Sequence, residues 1–96
     1  MSEKTDAIKN HILKGMPRRS IEYLNESGFH KFRIEGDGPT HWLYMSEEIV
    51  DDSESVVLIN FINIYLVVET FNQSENSKWL YLNDNGVREV DEHFTK

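Results

Sequence analysis

The 96-residue chain carries 17 Asp and Glu against 10 Lys and Arg, a net charge of −7, with 39% apolar residues and no cysteine. That composition fits one small soluble domain over residues 1–96 and leaves little material for a second. It excludes a disulfide framework, a thiolate metal site and a thiol nucleophile. Residues 1–38 hold seven basic against six acidic side chains, whereas residues 39–96 hold three against eleven. Acidity gathered in the later part opposes nucleic-acid binding, which needs a basic footprint. It suits a basic protein partner, or simply solubility. The polar start lacks the apolar core of a secretory signal. The richest apolar run, Val56 to Val68, is interrupted by Asn60 and Asn63 and is shorter than the roughly 20 residues that span a bilayer. The expectation is a cytoplasmic protein without a membrane segment.

In chain order, Ser2 to Lys14 places Ala7, Ile8, His11 and Ile12 at helical spacing and ends before Gly15, a natural helix terminator. Pro17 suits the first turn of a second helix carrying Ile21 and Leu24, which Gly28 would close. From His30 the period changes to two, with Phe32 and Ile34 alternating against Lys31, Arg33 and Glu35. Gly36-Asp37-Gly38-Pro39 then turns the chain into a second strand, Thr40 to Met45. A two-residue and a four-residue loop give this hairpin the same register, with Glu35 opposite Thr40. One face then carries His30, Phe32, Ile34, His41, Leu43 and Met45. The other pairs Arg33 with Trp42 and Lys31 with Tyr44.

Residues 46–55 are polar and read as a loop with one helical turn after Ser46. Val56 to Phe71 is rich in β-branched residues, which favours strand. A straight strand of that length would reach roughly 53 Å, too long for a domain whose radius of gyration is about 12 Å. A bend between Asn60 and Asn63 is therefore expected, with a helix over 54–61 as the alternative. A second hairpin follows, Lys78 to Leu82 and Val87 to Asp91. Its register is open between an Asn85-Gly86 turn and a four-residue Asn83-to-Gly86 turn. The predicted fold is α+β: two N-terminal helices packed on an antiparallel sheet of four to five strands.

Chemistry-bearing motifs are sparse. His30 and His41 share a face but lie roughly 13 Å apart, too far to share a metal, and His11 and His93 form no ligand pattern. No metal or other cofactor is implied. The acidic run lacks the ligand order of a calcium loop, and no nucleophile elbow or phosphate loop is present. No catalytic residue is assigned. The reading favoured is a non-enzymatic protein-binding module of inhibitor, immunity-like or adaptor type. Its candidate partner-binding residues are Glu47, Glu48, Ile49, Val50, Asp51 and Asp52, where two apolar side chains interrupt the charges, together with Trp42 on the sheet. The partner expected is a basic protein, and neither nucleic acid nor membrane. The alternative is a small enzyme or ligand-binding protein with a pocket near His41 and Tyr44, between helices and sheet. A strand from Val56 to Phe71 with both faces apolar also predicts a homodimer or higher oligomer.

Overall fold

The computed structural model describes residues 3–94. Ser2, the predicted start of the first helix, lies outside the described residues. Helix α1 (Glu3–Gly15) buries Thr5, Ile8 and Ile12 on one face, the three- and four-residue spacing of an amphipathic helix. Gly15 still ends it, though not by a left-handed turn. A Cβ there would sit 2.6 Å from Val68 Cγ1, so the glycine is fixed by packing against a neighbouring helix.

Three strands follow as a meander: β1 (Arg19–Glu26), β2 (Phe29–Gly36) and β3 (His41–Ser46). The expected second helix is thus replaced by β1. The apolar pair that decides the matter is Ile21 and Tyr23, two residues apart and packed on the core, alternating with the exposed Ser20 and Glu22. Leu24, which gave the helical spacing, falls on the opposite face. Ser27 and Gly28, both at positive φ, form the two-residue turn that right-twisted hairpins favour. The β2–β3 register is the one predicted: Arg33 lies opposite Trp42, Lys31 opposite Tyr44 and Ile34 opposite His41.

The chain then crosses through α2 (Glu47–Asp52), α3 (Ser55–Ile64) and α4 (Val67–Gln73) before β4 (Trp79–Asn83) and β5 (Gly86–Val90). The strand expected over Val56 to Phe71 is therefore helical, and the alternative helix over 54–61 describes most of α3. Leu58 and Ile62 are buried four residues apart in α3, and Val67 and Phe71 likewise in α4. The bend falls at Leu66, in the left-handed conformation with φ 56°, later than expected.

Strand order is β1-β2-β3-β4-β5. Trp42 lies beside Trp79 and Tyr44 beside Tyr81 in a parallel β3–β4 pair, so the sheet is mixed and not antiparallel. Parallel neighbours need a crossover, usually helical, and this outweighs the strand preference of the β-branched run. The β4–β5 pairing puts Leu82 opposite Val87, the register of the four-residue turn. Among the described residues, the four helices cover one face of the sheet. The core joins Ile8, Ile12, Phe32, Leu43, Met45, Leu58, Ile62, Phe71 and Leu82, within a radius of gyration of 12.1 Å.

Candidate functional site

The acidic stretch forms α2. Ser46 caps it, its Oγ accepting from the Ile49 N–H at 3.2 Å, and Glu47 and Glu48 occupy the first turn, where carboxylates are favoured by the helix dipole. Asp51 and Asp52 lie at the opposite end, where the same dipole disfavours them. Lys4 closes that end, its ammonium donating to the Val50 and Asp51 carbonyls at 2.9 and 3.1 Å. Glu47, Glu48, Asp51 and Asp52 are exposed. Val50 is not available as a partner contact, and Ile49 offers only the edge that lines a neighbouring cleft. Ile49 and Val50 are 6% and 2% exposed and belong to the core, because α2 needs an apolar side to hold it on β2 and β3.

The carboxylates of β1, β2 and β5, and Asp37 in the turn after β2, are matched by the chain's own cations. Lys31 pairs with Glu26 at 2.9 Å, Arg33 with Glu22 and Glu35, Lys78 with Glu89 and Arg18 with Asp37. Among the described residues, no Lys or Arg pairs with a carboxylate between Glu47 and Glu54. Only His30 approaches, its Nε2 3.8 Å from Asp51 Oδ1. The fold also adds residues that the local sequence did not flag. A cleft of about 190 Å³ has Glu48, Asp52 and Asp84 on its walls, with Ile49 and Phe61 contributing apolar surface. Asp84 comes from the β4–β5 turn and Phe61 from α3, so only the crossover topology brings them to α2.

Trp42 belongs to a different surface. It lines a groove on the outer sheet face with Leu24, Glu26, Lys31, Tyr44, Trp79 and Glu92, to which α2 contributes nothing. The Arg33 guanidinium lies 5.7 Å from its ring centroid, and the Lys31 ammonium 5.7 Å from the Tyr44 ring. Phe94 folds over this face, 4.8 Å from the Tyr81 ring and 6.1 Å from the Tyr44 ring. The cation–aromatic pairs largely cover the sheet's own outer surface.

A pocket combining His41 and Tyr44 is not formed. The two side chains leave β3 on opposite faces, as their odd separation requires. His41 is buried, stacked on Phe71 at 4.7 Å, and its Nδ1 accepts from the Lys78 N–H at 3.1 Å. Burial, with Arg19 and Lys78 nearby, holds its pKa below the ordinary value, while the Phe71 carbonyl pulls weakly the other way. It is a neutral core histidine that extends the hydrogen bonding at the start of β4. His30 is also buried, with Nδ1 2.5 Å from the Tyr23 hydroxyl. Burial raises the Tyr23 pKa, and Asp51 and Glu47 add to the shift. Among the described residues no three His, Asp or Glu side chains gather as metal ligands. Among the described residues no single helix is long and apolar enough to cross a membrane by itself.

Comparison with protein-family models, with curated proteins and with solved structures gives no match.

Proposed function

We propose that the protein is a non-enzymatic protein-binding module that docks a basic partner on α2 and the cleft beside it. The observation that supports this reading is the division of the carboxylates. Those on the sheet are matched by Arg33, Lys31 and Lys78, whereas among the described residues no Lys or Arg pairs with a carboxylate from Glu47 to Glu54, Lys4 reaching only the carbonyls at the end of α2. Clustered, unmatched charges repel one another and cost stability until an opposite charge arrives. The neighbouring cleft suits one long cationic side chain: Glu48, Asp52 and Asp84 would accept from its head, and Ile49 and Phe61 would pack on its stem. Association through such a surface is steered by charge and weakened by salt.

The test uses an oligo-arginine peptide as probe, titrated at several salt concentrations. Replacing Glu47, Glu48, Asp51 and Asp52 by Gln or Asn should weaken binding roughly tenfold or more and flatten the salt dependence. A control variant neutralises Asp6, Glu69, Glu75 and Asp91 instead, giving the same change in net charge. Equal losses in both variants would mean that overall charge alone attracts the probe, and would remove α2 as a site.

A further inference from the structure

Given α2 as the docking surface, on which this inference rests, we propose that His30 is its proton switch: neutral while the basic partner binds and, once protonated, paired with Asp51 so that this carboxylate is withdrawn from the partner. His30 is 6% exposed, yet only one of its ring nitrogens is satisfied. Its Nδ1 lies 2.5 Å from the Tyr23 hydroxyl, whereas Nε2 is buried without a hydrogen-bond partner and stands 3.8 Å from Asp51 Oδ1. A buried polar atom left unpaired is costly and uncommon. This one is aimed at an exposed carboxylate of the docking surface, and among the described residues no other basic side chain approaches the carboxylates of α2.

The groups around the imidazole come from several elements. Tyr23 and the uncharged Asn25 of β1, Glu3 and Lys4 of α1 and Asp51 of α2 line one cleft with it, about 640 Å³ in volume. Glu47 of α2 is near enough to act on the Tyr23 hydroxyl, and Met45, opposite His30 on β3, is uncharged. Three carboxylates thus stand against one ammonium, itself held by the Val50 and Asp51 carbonyls. A positive charge on His30 is therefore met by opposite charge despite its burial. Tyr23 keeps its own proton, because burial, Asp51 and Glu47 all raise its pKa. With that hydroxyl donating to Nδ1, the neutral ring carries its hydrogen on Nε2, too far from Asp51 to bond it. One proton taken from solvent makes Nδ1 a donor to the Tyr23 oxygen and turns the Tyr23 hydrogen into the cleft. Nε2 then closes on Asp51 as a charge-assisted donor. Histidine is the side chain whose charge ordinarily changes between about pH 5 and 8, a range in which free carboxylates stay ionised.

The full chain is titrated with an oligo-arginine peptide at about pH 7.5 and about pH 5.5, at one low salt concentration. The native chain should bind roughly two- to fivefold more weakly at the lower pH, the effect of one surface charge. His30→Gln, which can still meet Tyr23 but gains no charge, should lose that difference. Asp51→Asn should lose it too, binding at the higher pH as weakly as the native chain does at the lower. His93→Gln, at an exposed histidine beside Glu92, should keep the difference and so report the general effect of removing a histidine. Far-UV circular dichroism at both pH values checks folding, and variants on two elements guard against one that fails to fold. A native chain that binds equally at both pH values, or a folded His30→Gln chain that keeps the full difference, would overturn the switch and leave α2 as the docking surface. No binding by the native chain at either pH, or binding unaffected by neutralising α2, would overturn the docking surface itself and the switch with it.

Discussion

Single side chains in this protein act through what they are packed against. Gly15 is an example: alanine there gains about 1 kcal/mol of helix propensity in isolation, but its Cβ meets Val68 Cγ1 at 2.6 Å. Val68 is β-branched and cannot easily turn away. Gly15→Ala is expected to destabilise the fold by about 1–3 kcal/mol in urea denaturation, and Gly15→Ala with Val68→Ala to recover part of the loss. His41 gives a pH dependence with a definite sign. Its pKa is lowered in the folded state, so below the ordinary histidine value of 6.5 the unfolded chain binds more protons. Its contribution is full above that value and declines as pH falls through it toward the folded pKa. Denaturant melts between pH 7 and 5 should show stability dropping, with a slope from this residue of at most about 1.4 kcal/mol per pH unit. His41→Phe, which keeps the stack on Phe71, should flatten that slope. For Trp42, a double-mutant cycle with Arg33 should give about 0.5–1 kcal/mol of coupling. The packing loss of Trp42→Ala comes in addition.

Among the elements, the first hairpin was legible because two loop choices gave one register and its faces differed in polarity. Helix α1 and the turn after Ser46 were legible from spacing and a cap. Residues 17–28 and 56–71 were not, and for opposite reasons. In β1 the alternation of Ile21 and Tyr23 was obscured by Leu24, three residues beyond Ile21. In α3 and α4 the β-branched content pointed to strand, and the deciding requirement, a helical cover and crossover between parallel β3 and β4, is tertiary. Of the acidic segment, the charges and one helical turn after Ser46 were legible, though it was read as a loop and forms α2; Asp84 and Phe61 come beside it only through topology. The short helices also carry local costs that can be measured. Ser46→Ala should cost about 1 kcal/mol by uncapping α2. Leu66→Gly should stabilise the α3–α4 bend by up to about 1 kcal/mol, since a leucine at positive φ is strained. Each would be read from the shift in urea midpoint at constant slope.

At the scale of the whole molecule, one face of the sheet is closed by helices and the other by its own cation–aromatic pairs. Two surfaces differ from this self-sufficient pattern. Val56, Val57 and Ile64 on α3 are apolar without being buried, and α2 is acidic without being matched. The most direct measurement for the proposed function is a ¹⁵N-resolved chemical-shift map of the protein titrated with an oligo-arginine peptide. The shifts are expected to cluster on Glu47 to Ser53, Phe61 and Asp84, and to vanish as salt is raised. Shifts spread over all exposed carboxylates, or centred on the outer sheet face around Trp42 and Trp79, would contradict the assignment of α2 as the docking surface.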